Sequence, residues 1–474
     1  MFVSASRTGK LKHSLKELLF FGQDPSWELL AILLVYFVQG ILGLARLAVS
    51  FFLKDELGLS PAQVAAMMGV VALPWVVKPL FGFLSDSLPL FGYRRRSYLL
   101  LAGLVGSLSW ILLATVVQSA VAATLVIALS SAAIALSDVI VDSIVVERVR
   151  GESQAEAGSL QSLCWAATAL GGLITAYLSG QLLEVLTPLQ IFAITATFPL
   201  LVSVTALLIQ DDKVASGINL ATTRHQIRQL RQTLTQKQIW LPVAFLFLWQ
   251  ATPSSDSAFF YFTTNDLGFQ PEFLGRVRLV TNIAALIGVW VFQRFLRAIP
   301  VRTIFFWSTL LSAALGMTTL LLVTHANRPL GIDDHWFSLG DSLILAVMGQ
   351  IAYMPVLVLA ARLCPPGVEA TMFALLMSVS NLAGLLSHEF GALLMHSLGI
   401  TETQFQTLWI LVMITNLSTL LPLPLLHWLP GREENWVNLP DSEPSFLTPK
   451  IPDATAPIYV TERVADRLSP SNSQ

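Results

Sequence analysis

The sequence predicts an all-α membrane protein with twelve transmembrane helices in two six-helix halves. Three observations predict this fold class: an apolar composition, long continuous hydrophobic runs, and a repeat of those runs along the chain. Of the 474 residues, 54% are hydrophobic and only 12% are charged, whereas soluble domains have about 25% charged residues. The polar residues are too few to cover a soluble protein of this size, so much of the surface must face lipid.

Each hydrophobic run is long enough for a membrane-spanning helix, which needs about 20 mostly apolar residues. The runs are continuous, whereas the strands of a membrane barrel alternate in segments of about ten residues. Helices are the other structure that satisfies backbone hydrogen bonds in lipid. The predicted spans are 27–53, 61–84, 97–117, 121–146, 157–183 and 188–209, followed by 239–262, 273–296, 303–324, 340–363, 370–396 and 405–429.

A polar stretch separates these spans into two groups of six. Spans 1 and 7 begin 212 residues apart, as do spans 2 and 8, which predicts an internal repeat of the kind found in secondary transporters. The predicted organisation is a cytosolic N-terminal tail at 1–26, an N-terminal six-helix half at 27–209, a cytosolic linker at 210–238, a C-terminal six-helix half at 239–429 and a disordered cytosolic tail at 430–474.

Lysine and arginine are distributed unevenly between the two ends of the spans. With the N-terminus inside, 22 of the 28 fall in inner loops and tails, and only Lys54 and Arg328 fall in outer loops. The positive-inside rule then places both termini in the cytosol. The first 26 residues lack the apolar core of a cleavable signal. We therefore expect an integral multi-pass protein of a bacterial plasma (inner) membrane.

The loop after span 2 contains an acidic residue followed by a basic cluster. Major facilitator proteins carry a similar signature there, which acts as a conformational latch. Gly82 would allow close helix approach, and Asp86 is expected to cap a neighbouring helix or to pair with an arginine. The predicted latch residues are Gly82, Asp86, Arg94, Arg95, Arg96 and Arg148. The alternative is a positive-inside loop with an incidental aspartate.

Three blocks of sequence resemble the folate–biopterin transporter family of the major facilitator superfamily. They are Trp75-Val-Val-Lys78-Pro79 continuing through Arg96, Ser137-Asp138-Val-Ile-Val-Asp142 continuing through Arg150, and Ser380-Asn381-Leu-Ala-Gly384 with Gly391-Ala392. The resemblance implies a major facilitator fold and secondary active transport of folates or pterins by alternating access. It does not specify which substrate is moved. Another organic anion or small solute remains the alternative within this fold.

Charged side chains inside the spans form two layers. A charge within the bilayer is costly unless it faces a cavity or a partner. Lys78 in the inner layer is predicted to meet Asp138 or Asp142, which lie one turn apart on the same helix face. Arg46 is predicted to meet Asp256 or a substrate carboxylate. The outer layer comprises Arg46, Asp256, Arg276, Arg278 and Glu389.

The candidate substrate-binding or coupling residues are Arg46, Lys78, Asp138, Asp142, Asp256, Glu389 and Trp75. Arg46 suits a carboxylate of the folate glutamate, because a guanidinium group binds a carboxylate through two hydrogen bonds. Asp138 suits the adjacent N–H groups of a pterin ring. Trp75 could stack on that ring, as could Trp110 and the aromatic run at 259–261. The alternative roles are packing for the aromatics, and a helix-packing hydrogen bond or a proton site for the two aspartates.

Motifs of other function classes are absent from the sequence. It contains no Walker A motif, so ATP is not the energy source, and no HExxH, Gly-x-Ser-x-Gly or clustered Cys/His motif, so an enzyme is not predicted. We expect no metal and no cofactor. Buried carboxylates can carry protons, which predicts proton coupling, with uniport or exchange as alternatives. The expected partners are a folate or pterin, protons and the lipid bilayer, with no nucleic acid and a monomeric chain. A non-transporting ligand sensor is the remaining alternative.

Overall fold

The computed structural model describes residues 25–148, 154–209, 236–296, 299–362 and 369–429, together with 211 and 213. The elements within these ranges are helices joined by short loops. The tails predicted at 1–26 and 430–474 and the linker predicted at 210–238 lie almost entirely outside the described residues.

The first half of the chain contains three pairs of consecutive helices and three single helices in its described residues. They are α1 (Trp27–Ile41), α2 (Leu44–Phe51), α3 (Pro61–Val76), α4 (Lys78–Ser87), α5 (Arg96–Thr115), α6 (Ala120–Arg148), α7 (Gln154–Leu183), α8 (Pro188–Thr195) and α9 (Thr197–Thr205). Predicted spans 1, 2 and 6 therefore each consist of two short helices, which follow one another along the same span.

The second half has the same character. Its helices are α10 (Lys237–Gln250), α11 (Asp256–Tyr261), α12 (Pro271–Val291), α13 (Val301–Gly316), α14 (Thr319–Val323), α15 (Asp334–Arg362), α16 (Glu369–Ser397) and α17 (Leu408–Ser418), and a 3₁₀ turn at Leu423–Trp428 follows. The helix of predicted span 10 begins at Asp334, earlier than the expected 340. An acidic residue stabilises the first turn of a helix, and Asp334 is also held by Arg328 at 2.9 Å.

Within the described ranges, ten helical segments are long and apolar enough to cross a membrane. They correspond to predicted spans 1–6, 8–10 and 12. Predicted span 7 corresponds to α10 and α11 with a break at 251–255, and predicted span 11 to α16. Large apolar side chains such as Leu125 and Trp290 point outward, 64% and 59% exposed, as expected where helices face lipid. The membrane fold class is confirmed, and the number twelve stays a prediction.

Local sequence explains where several helices begin. Ser60 accepts a hydrogen bond from the backbone of Gln63, whose side chain accepts one from the Ser60 backbone, and Pro61 opens α3. Thr187 and Gln190 form the same capping box at the start of α8. These reciprocal bonds satisfy N–H groups that a helix start otherwise leaves free. Proline is favoured in the first turn because its missing N–H is not needed there.

The two halves share a helix ending that the sequence analysis missed. The span-1 helix ends in the π-helical turn Phe52–Glu56 and the span-7 helix in the π-helical turn Phe262–Asp266. A glycine at positive φ follows each, 62° at Gly58 and 69° at Gly268, a conformation that strains other residues. The equivalent glycines lie 210 residues apart, close to the predicted offset of 212. The spacing is consistent with the predicted internal repeat.

Two helix pairs form the largest contacts between the halves: α3 packs against α16, and α7 packs against α12. We call the end of the bundle where α1 begins the N-terminal face, and the end with loops 57–60, 184–187 and 267–270 the opposite face. Close to the opposite face, Gly180 and Gly275 bring the backbones of α7 and α12 together, because a methyl group on either glycine would collide with the other helix.

Candidate functional site

The candidate site begins at a break in the second span. The helix α3 ends at Val76 and α4 begins at Lys78, with Val77 between them at φ −93° and ψ 12°. Pro79 explains this break, because it has no N–H to donate to the carbonyl of Trp75, four residues earlier, and its ring crowds that carbonyl. The break therefore places Lys78 at the first position of a new helix, deep inside the span.

Lys78 forms an ion pair with Asp138 of α6, which confirms the predicted pairing. Its Nζ lies 3.9 Å from Oδ2 of Asp142, one turn further along the same helix, and 5.0 Å from the centroid of the Trp75 ring, a distance typical of a cation–π contact. The Lys78 and Asp138 side chains are only 17% and 12% exposed. One lysine thus faces two carboxylates, and its ion pair with Asp138 is largely shielded from solvent.

Two side chains of α1 complete this cluster. Gln39 Nε2 donates a hydrogen bond of 3.0 Å to Oδ1 of Asp138, and the Tyr36 hydroxyl donates one to Asp142. The sequence analysis missed both residues. The available signal was their placement, because they lie three positions apart, and thus on one face, in an otherwise apolar helix. The Asp142 side chain remains 50% exposed, so it borders a space inside the bundle.

Arg46 lies on α2, among buried neighbours such as Leu47 and Ala48. Its side chain is solvent-accessible and yet surrounded by protein, the combination expected of a group that lines an internal cavity. The predicted pair of Arg46 with Asp256 is wrong. The span-7 helix breaks before Asp256, which becomes the exposed first residue of α11, and no ion pair links it to Arg46 within the described parts of the chain.

Glu389 lies at the contact between α3 and α16. A methyl group on Gly69 of α3 would collide with Oε1 of Glu389. The carboxylate of Glu389 therefore packs directly against the backbone of α3, in the other half. Glu389 and Asp256 both belong to the outer layer predicted from sequence. The structure places Glu389 between the halves and leaves Asp256 exposed at a helix start.

A hydrogen bond between the halves uses the backbone group that Pro79 frees. Asn381 Nδ2 of α16 donates to the carbonyl of Trp75 at 3.1 Å. Closer to the opposite face, the Tyr261 hydroxyl donates to the Leu59 carbonyl, and Lys54 Nζ lies 2.9 Å from Asn265 Oδ1. These contacts join the halves from the break to the opposite face, so the conformation is closed there.

The predicted latch residues lie at the N-terminal face. Arg148 Nη1 donates to Glu28 Oε2 at 3.3 Å and to Ser26 Oγ at 3.0 Å, which ties the end of α6 to the start of α1. A methyl group on Gly82 would lie 3.5 Å from Val139 of α6. That is an ordinary contact distance, so the expected role of Gly82 in close helix approach is not needed in this conformation.

The carboxylate that caps a helix in this region is Asp211. Its Oδ2 accepts the backbone N–H groups of Arg95 at 2.8 Å and Arg96 at 3.0 Å, at the start of α5, where an anion is favoured. The side chain of Asp86, to which we assigned this role, lies outside the described residues. Sequence reasoning missed Asp211 because it follows span 6, far from the arginines that it contacts.

The remaining latch arginines lie beside this cap. The Arg96 guanidinium lies 5.8 Å from the ring centroid of Tyr93, and Arg95 Nη1 donates to Ser85 Oγ at 3.5 Å. Arg94 is partly buried in the same loop. These contacts are made within the first half and the start of the segment that follows it.

Most of the candidate aromatics pack against other rings. Trp110 is 6% exposed and its ring lies 5.7 Å from Phe192. Tyr261 is fully buried, and Phe260 makes an edge contact with Phe51 at 5.4 Å. Trp75 is the candidate that borders the charged cluster. Among the described residues, no group of three or more His, Cys, Asp or Glu side chains is arranged to hold a metal ion.

Known proteins resemble this chain in both sequence and fold. The sequence model of the BT1 family matches residues 39–444. A folate-biopterin transporter of Synechocystis sp. is 63% identical over 421 residues, which cover 89% of this chain and 85% of the relative. Folate transporter 2 of Plasmodium falciparum is 30% identical over 404 residues, which cover 85% of this chain and 88% of the relative.

Solved structures show the same fold at low sequence identity. The nucleoside transporter NupG superposes with a TM-score of 0.63 at 14% identity, over 85% of this chain and 98% of that one. A D-xylose–proton symporter superposes with a TM-score of 0.62 at 14% identity, over 85% of this chain and 97% of that one. Both are major facilitator transporters, so the fold is of that type. This chain is an integral multi-pass membrane transporter, not an enzyme, and it belongs to the BT1 family.

Proposed function

We propose that this chain moves folates or pterins across a membrane by alternating access, driven by coupled protons. The observation that carries the proposal is the cluster of Lys78, Asp138 and Asp142. The cluster lies inside the transmembrane bundle, between the closed opposite face and the N-terminal face. Asp142 borders an internal space. The names of the relatives supply the substrate class.

The cluster offers the groups that a pterin ring needs. A pterin presents an adjacent ring N–H and amino group, which one carboxylate can accept as a pair of hydrogen bonds. Asp138 is the candidate acceptor, and its present partners, Lys78 and Gln39, are polar side chains that a ligand can replace. Trp75 lies beside Lys78 and has a flat face suited to stacking.

The charge balance of the cluster supports proton coupling. One lysine and two carboxylates carry a net charge of about −1 when all are ionised, and a net charge inside the membrane is costly. Addition of one proton to the pair of aspartates would remove that charge. Asp142 is the candidate acceptor, since it is half exposed and Lys78 lies closer to Asp138 than to it.

The distribution of lysine and arginine supports a cytosolic N-terminal face. In that orientation the closed end described above is the outer end. The contacts of Arg148 and Asp211 lie at the cytosolic end and hold the first half together there. The proposed location is the plasma membrane of a bacterium, supported by the Synechocystis relative.

The first test is uptake of labelled folic acid and labelled biopterin into cells that express the parent chain or Asp138→Asn at equal membrane levels. Loss of a hydrogen bond to a charged group costs about 1.5–3 kcal/mol, so we expect uptake to fall about tenfold or more. Asp333→Asn, in an exposed loop beside His335, is the matched control and should leave uptake unchanged.

The outcomes separate the parts of the proposal. If the parent takes up neither compound, the folate and pterin assignment is wrong, although the chain remains a membrane transporter. If Asp138→Asn matches the parent, this aspartate lies outside the substrate pathway. Proton coupling is tested in vesicles: an inward proton gradient should accelerate uptake by the parent, and the absence of any effect would contradict coupling.

A further inference from the structure

The depth of Arg46 in the bundle can be given relative to the residues of α7, because α2 packs beside α7. A methyl group on Gly43 would lie 3.0 Å from Oγ1 of Thr175. Arg46 lies three residues further along α2, on nearly the same face as Gly43. Both helices run toward the opposite face, so Arg46 lies at about the level of residue 178 of α7.

The depth of Arg278, in the other half, can also be given relative to α7. Gly275 of α12 faces Gly180 of α7, and Asn282 Nδ2 donates to the carbonyl of Gly172 at 3.4 Å. Arg278 lies between these two contacts and on the same face of α12, at about the level of residue 177. With a rise of about 1.5 Å per residue, the two arginines differ in depth by about 3 Å or less.

These two arginines lie at one depth without a counter-charge. Their helices, α2 and α12, both pack against α7, so the two like charges lie beside the same helix. In the described parts of the chain, neither guanidinium forms an ion pair or a side-chain hydrogen bond. Arg276, by contrast, is exposed and pairs with Glu272 on its own helix. Two unpaired cations at one depth in a bundle are costly, so this arrangement is explained if an anion binds between them.

We propose that Arg46 and Arg278, one from each half, together bind the two carboxylates of a folate's glutamate, and that this contact makes the transporter prefer folates with that glutamate to uncharged pterins. This inference rests on the proposed function. Guanidinium groups suit it because each can hold a carboxylate through two parallel hydrogen bonds. The site is accessible from inside the bundle through Arg46.

The position of the two arginines fits an elongated ligand. Arg46 and Asp138 differ in depth by about 10–15 Å at the helical rise. A folate carries its pterin and its glutamate at opposite ends, so its ring can reach Asp138 and Trp75 while its carboxylates reach the arginines. A ligand held in this way touches both halves at once. Its binding energy can therefore favour one arrangement of the halves over another.

The test compares Arg278→Gln with the matched control Arg276→Gln, two residues away on the same helix. Uptake of labelled folic acid and of labelled biopterin is measured for each variant and the parent below saturation, at equal membrane levels. Arg278→Gln is expected to lower folic acid uptake about tenfold or more, since a charge-assisted hydrogen bond is worth about 1.5–3 kcal/mol. Biopterin uptake should change less than about twofold, and Arg276→Gln should change neither.

The ratio of the two substrates decides the result. If the parent moves both compounds and Arg278→Gln keeps the parental ratio, whether or not total uptake falls, this inference is wrong and the proposed function stands. If the parent moves biopterin alone, the inference is also wrong. If it moves neither, the proposed function fails. If the parent moves folic acid alone, biopterin uptake cannot be measured, and inhibition of labelled folic acid uptake is measured instead. The two inhibitors are unlabelled folic acid and pteroic acid, which lacks the glutamate. The parent should bind folic acid more tightly than pteroic acid, and Arg278→Gln should remove that preference; retention of the preference would overturn the inference.

Discussion

Replacing Lys78 with methionine is expected to abolish uptake and to destabilise the protein. Methionine keeps most of the length of the lysine side chain but removes the charge, which leaves Asp138 without its counter-charge and only 12% exposed, with Gln39 as its remaining partner. Removal of one member of a buried ion pair costs about 3–5 kcal/mol. Thermal unfolding in detergent and uptake of the labelled substrate measure the two effects.

A second variant separates stability from transport. In Lys78→Met with Asp138→Asn, both charges are removed, so most of the lost thermal stability should return while uptake stays absent. Exchange of the two charges, Lys78→Asp with Asp138→Lys, should likewise restore part of the thermal stability. Arg328→Met is the control, because its pair with Asp334 is exposed on the arginine side and such pairs contribute about 1 kcal/mol or less. Normal uptake by Lys78→Met would show that the ion pair has no role in transport.

A leucine at Gly275 is expected to stop transport by a different route. Any side chain there would collide with the backbone of α7 at Gly180, so the halves could no longer close at the opposite face. Overpacking costs about 1–3 kcal/mol, and every 1.4 kcal/mol changes a two-state equilibrium about tenfold. The protein should therefore favour conformations open at that face, and uptake should fall about tenfold or more.

Chemical labelling reports this shift directly. In a background without Cys164 and Cys364, a cysteine at position 54 lies where Lys54 now contacts Asn265 of the other half. Gly275→Leu should increase its labelling by a membrane-impermeant maleimide. Gly340→Leu is the control, because a methyl group at Gly340 meets no atom within 4 Å. Labelling and uptake at parental rates in Gly275→Leu would contradict the proposed closure at the glycine contact.

Much of the fold could be predicted because its causes are local. Apolar run length determines which segments can span a membrane, and depth along a span was enough to pair Lys78 with Asp138. Tyr36 and Gln39 were missed because depth alone does not give the rotation of α1 about its axis. The shared helix ending before Gly58 and Gly268 was missed because the start and length of an apolar run carry no information about a π-helical turn.

Other parts of the site depend on tertiary structure. The pairing of Arg46 with Asp256 was wrong because the break at 251–255 moves Asp256 to the exposed start of a short helix. Asp211 caps α5 across more than 100 residues of sequence. The bond from Asn381 to the Trp75 carbonyl has a backbone acceptor, which no pattern of side chains reveals. These contacts arise when separate spans pack together.

The Trp75 carbonyl has a consequence for how the transporter responds to its solvent. Pro79 prevents this oxygen from accepting a bond within its own helix, so its available partners are Asn381 and water. Separation of the halves at this point must hydrate both groups, and it costs little because a hydrogen bond to water replaces the one that is lost. Opening is therefore accompanied by an uptake of water. Solutes that are excluded from protein surfaces should favour the closed arrangement and slow the cycle, which makes the rate of transport sensitive to osmotic stress.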